Sequence, residues 1–196
     1  MTNILRIDSS ITGEASVSRR LTDRIIARLT KADPKAMVVE RDLSSGVPHI
    51  DSAWIGAVYT PAEARSPEQA KIAAYSDALL AEVRAADLLV IALPIYNFGV
   101  PAPLKGWLDH LARKGETFRY SEAGPEGLLK GKRAIVAMSS SGTRLGSEID
   151  FASGYLRHML GFFGITDVEF VAADEMVFDP DATLKSAEAQ IDALAA

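Results

Sequence analysis

The feature that most constrains this fold is a regular alternation of short apolar runs with stretches of helical periodicity. Five runs rich in Val, Ile and Leu are bounded by polar or breaker residues, which is typical of buried strands. Between them, apolar residues recur every three or four positions, as on one face of a helix. Because such alternation packs as a parallel sheet covered on both faces, we predict an α/β protein. The runs are ILRI (4–7), MVVE (37–40), DLLVIAL (87–93), RAIVAMS (133–139) and DVEFVAA (167–173).

Length and composition exclude several classes of protein. The chain has 196 residues, of which 48% are hydrophobic, which suits one domain with a real core. A net charge of −5 argues against nucleic acid or an anionic membrane as the partner. There is no cysteine, so disulfides and thiolate chemistry are excluded. Neither a signal peptide nor a membrane helix is expected, and a cytoplasmic location is predicted.

Five stretches have apolar residues spaced as on one face of a helix, which we call a helical stripe. One long segment has no such stripe. The second stripe follows Ser66 and Pro67, a preferred N-cap residue and a preferred first helical residue. The segment 43–65 is long for a connection in a compact domain, and its Trp54 suggests that it packs against another surface. The stripes are Val17–Leu29, Ile72–Val83, Leu104–Leu111, Phe151–Phe162 and Leu184–Leu194.

The loop after the first strand is rich in hydroxyl groups and leads into a helix. Ser10, Ser16 and Ser18 lie in it, and hydroxyls with free amides at a helix start favour a phosphate. The loop has no GxxxxGK[ST] motif and no GxGxxG motif, which argues against ATP, GTP and dinucleotides. The alternative is that Ser16 merely caps the helix.

Two further loops follow the third and fourth strands and share the same predicted sheet edge. The stretch PIYNFGVP (94–101) offers aromatic walls and an amide to a flat heterocycle, or else forms an apolar plug or a partner interface. The stretch MSSSGTRLGS (138–147) lets backbone approach a ligand edge, or else is a plain turn. Because ligands of parallel sheets bind at the carboxyl ends of strands, the three loops together predict a flat heterocycle with one phosphate, such as FMN.

The chain resembles the flavodoxin-like FMN-dependent NADH:quinone oxidoreductases, the azoreductase family also named acyl carrier protein phosphodiesterase. The resemblance covers nearly the whole chain. It is carried by ILRIDSS at the N-terminus, LPIYNFGVPAPLKGWLDH (93–110), GETFRYSEAGPEGLLKGKRA (115–134), SSSG (139–142) and LGFFGITDVEFV (160–171).

The resemblance implies a flavodoxin-like three-layer sandwich with a five-stranded parallel sheet of order 2-1-3-4-5 and helices on both faces. It implies a single domain over residues 1–196 and a homodimer with FMN at the subunit interface. The segment 43–65 is then expected at the dimer interface or the active site. The implied reaction is a two-electron, ping-pong reduction of quinones, and of azo compounds, by NADH or NADPH.

The resemblance also implies roles for individual residues. Tyr120 and Phe162 match aromatic positions that the family places near the substrate pocket. No protein side chain is expected to be catalytic, because the flavin accepts the hydride. Family members often carry Asn, Met and a glycine-rich run where this chain has Arg19, Ile95 and Ser140-Ser141-Gly142. The implied FMN-binding residues are Ser10, Ser16, Val17, Ser18, Ile95, Tyr96, Asn97, Phe98, Ser139, Ser140, Ser141 and Gly142.

Other interpretations of the sequence are less well supported. The three histidines have no metal-ligand spacing, and Asp109-His110 is expected to be a solvated pair. The serine run lacks a GxSxG context, which argues against a hydrolase. A non-catalytic flavodoxin-type electron carrier is the main alternative, although the charge is mild for that role. A binding or regulatory module without redox activity is a further alternative.

Overall fold

The computed structural model describes residues 1–195, which form seven strands and six α-helices. The strands are Asn3–Asp8 (β1), Met37–Asp42 (β2), Leu88–Pro94 (β3), Phe118–Ser121 (β4), Gly124–Gly127 (β5), Arg133–Ser139 (β6) and Asp167–Ala173 (β7). The helices are Val17–Ala32 (α1), Ser52–Tyr59 (α2), Pro67–Ala85 (α3), Ala102–Leu111 (α4), Ser153–Phe163 (α5) and Pro180–Ala193 (α6).

Five strands form one parallel sheet in the order β2-β1-β3-β6-β7. This is the order 2-1-3-4-5 once only the strands of this sheet are counted, so the predicted topology is confirmed. The order reverses between β1 and β3, which lie side by side with their connections leaving in opposite directions. Ligands bind at such a switch point because the two diverging loops leave a crevice at the carboxyl edge.

Both faces of the sheet are covered by helices, which gives the three predicted layers. On one face, Leu21 and Ile25 of α1 and Ile191 of α6 pack on strand residues such as Val90. On the other face, α3, α4 and α5 bury a larger apolar cluster that includes the fully buried Trp107. Every residue of β3 is buried, because this strand is central and covered on both sides.

The helix boundaries follow the local sequence signals. At the start of α3, the Ser66 hydroxyl accepts from the Gln69 amide, and the Gln69 side chain accepts from the Ser66 amide. The helix α5 ends at Gly164, whose φ of 103° lies in the left-handed region that favours glycine. These two signals therefore set the first residue of α3 and the last residue of α5.

Two elements differ from what the helical stripes and apolar runs predict. The segment 43–65 contains α2, which packs on α3, and Trp54 is buried with 7% of its surface exposed. The strands β4 and β5 pair as an antiparallel hairpin over residues 118–127, which have few β-branched residues. Contacts with the rest of the chain, rather than local propensity, stabilise both elements.

The sequence predicts that Asp109 and His110 form a solvated pair. This prediction is wrong for His110, because only 1% of its surface is exposed. Its ring lies edge-on to Trp54 and Tyr75, with centroid distances of 5.3 and 5.1 Å. Its Nε2 atom is 2.8 Å from the Pro48 carbonyl oxygen, and burial lowers the pKa of the imidazole. His110 therefore anchors the segment 43–65 to α4 as a neutral ring.

The hairpin is fixed by a close backbone approach that tolerates only glycine. The Leu129 amide donates to the Phe163 carbonyl, and a Cβ placed on Gly127 would lie 2.1 Å from the Gly164 nitrogen. We expect Gly127→Ala to lower the free energy of unfolding by at least about 2 kcal/mol, because two backbone segments must separate. Chemical denaturation measures this effect.

The matched control is Gly154→Ala in α5, where a Cβ would meet nothing within 4 Å. Alanine there should leave stability unchanged or raise it by up to about 1 kcal/mol, because it favours the helix. Equal unfolding midpoints for Gly127→Ala and the unmodified protein would contradict the close approach.

Candidate functional site

A cleft of about 460 Å³ opens at the carboxyl edge of the sheet, beside the switch point. Its walls come from the loops after β1, β3, β6 and β7, so four separate connections converge there. The lining residues are Ser10, Thr12, Ala15, Ser16, Val17, Pro94, Ile95, Tyr96, Ser139, Ser140, Ser141, Met176 and Val177.

One end of the cleft is formed by residues 9–16, which we call the serine loop, and by the start of α1. The Ser16 hydroxyl accepts from the Arg19 amide and so caps the helix, and Ser18 Oγ lies 3.1 Å from Ser16 Oγ. The amides of Val17 and Ser18 have no acceptor among the described residues. Free amides, hydroxyls and the positive end of the helix dipole together favour an anion.

The serine loop is held against β3 by two hydroxyl groups. The Ser9 hydroxyl donates to the Ala92 carbonyl oxygen at 2.7 Å. The Tyr96 hydroxyl lies 3.1 Å from Ser10 Oγ and accepts from the Ile11 amide at 3.3 Å. The loops after β1 and β3 are therefore joined directly, and Tyr96 serves this link as well as lining the cleft.

The aromatic turn after β3 is a tight reversal with strained backbone. Tyr96 and Gly99 exchange two backbone hydrogen bonds of 3.2 and 3.1 Å. Between them, Asn97 and Phe98 have φ angles of 49° and 68°, as in a type I′ turn. Asn tolerates this conformation and Phe does not, so the surrounding contacts must hold Phe98 in place.

The opposite wall is formed by residues 139–141 and by the loop after β7. The Met176 and Val177 amides donate to the Ser140 and Ser141 carbonyls at 3.2 and 2.8 Å. The Glu175 backbone has a φ of 56°, which turns the chain towards the serine run. The sequence analysis missed Met176 and Val177, although their place after the fifth strand of a parallel sheet could have pointed to them.

Most of the predicted cofactor residues line this one cleft, and four do not. Ser18 is fully buried behind Ser16, and Asn97 is exposed at the tip of the turn. Phe98 is 53% exposed, and its carbonyl accepts from the Phe151 amide. Gly142 lies one residue beyond the lining run. Those that line the cleft are Ser10, Ser16, Val17, Ile95, Tyr96, Ser139, Ser140 and Ser141.

The two predicted substrate residues lie at the other end of the sheet. Tyr120 is on the β4–β5 hairpin and Phe162 is in the last turn of α5, next to the amino ends of the strands. They belong to one aromatic group, because Phe118 contacts both rings with centroid distances of 5.6 and 4.5 Å. Neither residue lines the cleft of its own chain.

Charged residues lie behind the serine loop rather than inside the cleft. Asp8, the last residue of β1, is 5% exposed and lies 2.7 Å from Arg6 and 3.7 Å from Arg19. Burial raises the pKa of Asp8, and the two guanidinium groups act in the opposite direction. Burial acts to raise the pKa of Asp42, but hydrogen bonds from Arg19 and Ser44 lower it overall.

Within residues 1–195, no group of three or more potential metal ligands comes together. In the same part of the chain, none of the helices has the length and apolar character needed to cross a bilayer.

The sheet order, with a cleft and a helix start at the switch point, defines a flavodoxin-like α/β protein. A sequence model described as "Flavodoxin-like fold" matches residues 2–196. A protein from Cereibacter sphaeroides (strain KD131 / KCTC 12085), named FMN-dependent NADH:quinone oxidoreductase, is 63% identical over 196 residues and 100% of both chains. A relative from Jannaschia sp. (strain CCS1), named FMN-dependent NADH:quinone oxidoreductase 1, is 58% identical over the same full length.

Solved structures with a similar fold include enzymes that are named for FMN-dependent reduction. An azoreductase from Bacillus anthracis str. Sterne has a TM-score of 0.86 and 29% identity, over 98% of this chain and 96% of that one. An FMN-dependent NADH-azoreductase from Bacillus anthracis str. Ames Ancestor, in complex with FMN, has a TM-score of 0.87 and 27% identity over the same shares. The chain therefore belongs to the flavodoxin-like family that includes the proteins named FMN-dependent NADH:quinone oxidoreductase, as its motifs predicted.

The link between Tyr96 and the serine loop can be tested by removing one oxygen atom. Tyr96→Phe removes the acceptor of the Ile11 amide and one of the partners of the Ser10 hydroxyl, which keeps its contacts with Thr12. We expect a loss of about 1 kcal/mol in the free energy of unfolding and faster hydrogen exchange at the Ile11 amide. The control is the Leu129 amide of the same variant, which donates to the Phe163 carbonyl far from the link and should exchange as in the unmodified protein. Unchanged exchange at Ile11 in Tyr96→Phe would contradict the link.

Proposed function

We propose that this protein is an FMN-dependent NADH:quinone oxidoreductase, which reduces quinones by two electrons and also cleaves aromatic azo compounds. The observation that carries the proposal is the cleft, which joins an anion-binding helix start to a slot with apolar walls and polar edges. Full-length relatives with this enzyme name and an azoreductase structure in complex with FMN support it. A cytoplasmic location is part of the proposal, because NADH is a cytoplasmic metabolite.

The residues of the cleft fit FMN. The unpaired amides of Val17 and Ser18 and the Ser16 hydroxyl suit a phosphate. The side chain of Ile95 and the ring of Tyr96 suit the face of a flat heterocycle. Residues 139–141 line the cleft and suit the polar edge of such a heterocycle. Asn97 and Gly142 follow lining residues in the chain and are proposed as further contacts.

The chemistry of the lining agrees with cofactor-based catalysis. When bound, FMN supplies the two-electron chemistry, accepting hydride from NADH and passing it to a quinone or an azo bond. Tyr96 is the only titratable residue among those that line the cleft, and its hydroxyl is engaged with the serine loop. The protein side chains therefore bind, orient and exclude water, and protons for the reduced product come from solvent.

A single introduced negative charge separates phosphate binding from helix capping at Ser16. Aspartate caps helices as well as serine does, so Ser16→Asp should keep α1 intact while its charge repels a phosphate. We expect the unmodified apoprotein to bind FMN in a fluorescence titration and Ser16→Asp to bind it at least about tenfold more weakly. The exposed Ser45→Asp serves as the control.

Each outcome of this titration is informative. Equal FMN affinity in Ser16→Asp and Ser45→Asp would mean that Ser16 only caps the helix and that the phosphate does not lie there. An unmodified protein that binds no FMN would overturn the proposed function itself. A flavoprotein that turns over NADH continuously only when a quinone is present would support the proposed quinone reduction.

A homodimer is also part of the proposal. Tyr120 and Phe162 lie at the amino edge of the sheet, so they can reach a cleft at the carboxyl edge only if that cleft belongs to another subunit. A two-fold dimer provides two such contacts at once. The exposed apolar side chains of Ile50, Ile55 and Tyr59 in the segment 43–65 suit a subunit interface.

Mixing two defective chains tests whether Phe162 acts across the interface. At an FMN concentration that fills only the unmodified cleft, Ser16→Asp chains should stay largely free of FMN. Phe162→Ala chains should show quinone kcat/KM values about tenfold lower, because an aromatic wall is lost. In a co-refolded equal mixture, each heterodimer has one intact cleft faced by an intact Phe162. Activity should recover to about a quarter of the unmodified rate, since half of the dimers carry one such site.

The control is an equal mixture of Ser16→Asp with unmodified chains, which gives the rate expected from simple dilution. A mixture of the two variants that shows only the average of their separate activities would contradict the contribution of Phe162 in trans.

A further inference from the structure

A buried carboxylate lies directly behind the proposed phosphate site. Asp8 is the last residue of β1 and is 5% exposed, and the serine loop begins at the next residue. An uncompensated negative charge at this place would oppose the binding of any anion to the loop, because it acts through protein rather than through water. The chain must therefore neutralise Asp8 if the cleft is to hold a phosphate.

Two arginines contact Asp8, and each of them is shared with other carboxylates. Arg6 bonds to Asp8 at 2.7 Å and to Asp23 of α1 at 2.5 Å, and it lies 3.7 Å from Glu40. Arg19 follows the helix start, with Nη1 3.7 Å from Asp8 and Nη2 2.6 Å from Asp42 on β2. Arg19 Nη2 also lies 3.4 Å from the Ser10 carbonyl oxygen.

Arg19 is therefore placed between the buried charge and the cleft. Its side chain is only 17% exposed, and its Nε atom is buried without a partner. No lysine or arginine is among the residues that line the cleft. The positive charge of Arg19 thus acts on the anion site from behind the serine loop and not by direct contact.

We propose that Arg19 is a positioning residue that makes the cleft selective for a phosphate-bearing flavin, by compensating Asp8 and holding the Ser10 carbonyl away from the anion. The proposal rests on the proposed function, because it assumes that the anion is the phosphate of FMN. It also explains how a site of hydroxyls and amides tolerates a carboxylate behind it.

The experiment compares FMN with riboflavin, which has the same ring system and no phosphate. Dissociation constants for both are measured by fluorescence titration of apoprotein carrying Arg19→Gln, Asp8→Asn or both changes. Arg20→Gln is the matched control, because it removes the same charge from the next residue, which is exposed. Urea denaturation of each apoprotein reports whether α1 and its loop remain folded.

We expect Arg19→Gln to weaken FMN binding by about tenfold and to leave riboflavin binding unchanged, because only the phosphate is repelled by the uncompensated charge of Asp8. Adding Asp8→Asn to Arg19→Gln should restore FMN binding to within about threefold of the unmodified protein, since the charge to be compensated is gone. Arg20→Gln should bind both flavins as the unmodified protein does.

Three results would overturn the inference. Equal FMN affinity in Arg19→Gln and Arg20→Gln would remove any role for Arg19. Parallel losses of FMN and riboflavin would show that Arg19 only stabilises the fold. A double variant as weak as Arg19→Gln would show that Asp8 is not the charge being compensated. If the unmodified protein binds neither flavin, the proposed function fails and the inference fails with it.

Discussion

The start of α1 at Ser16 is the interaction on which the rest of the site depends. The cap leaves the amides of Val17 and Ser18 free at the carboxyl edge, and this edge is where the parallel sheet brings four loops together. The same helix start carries Arg19 to Asp8 and Asp42, which ties the loop to the first two strands. One helix terminus therefore carries both the amides proposed to bind the anion and the arginine proposed to compensate Asp8.

The remainder of the cleft is held by links between loops rather than by regular structure. Tyr96 joins the serine loop to the turn after β3, and the 176–177 backbone joins the loops after β6 and β7. The left-handed backbone of Phe98 is strained, and an isolated turn would relax to release this strain. Such links give a cleft whose shape is fixed before any ligand enters, which lowers the ordering cost of binding.

Much of this architecture could be predicted from the sequence, because its signals are local. Apolar runs with helical stripes between them predict the parallel sheet, and Ser66 with Pro67 marks the start of α3. The hairpin at 118–127 could not be found in this way, because it is stabilised by Gly127 against Gly164, a contact between distant segments. The burial of His110 was missed for the same reason, since Trp54 covers it from a segment without periodicity. Three of the four loops that line the cleft were predicted, and the loop after β7 was missed. The pairing of Asp8 with Arg19 could not be predicted, because it depends on three-dimensional packing.

An anaerobic titration tests the central claim most directly, because it separates a quinone reductase from an electron carrier with the same fold. Protein loaded with FMN is titrated with NADH and then with benzoquinone while the flavin absorbance is recorded. The account predicts that one equivalent of NADH per FMN bleaches the spectrum and that one equivalent of benzoquinone restores it. Bound FMN that dithionite reduces but NADH does not would contradict the account.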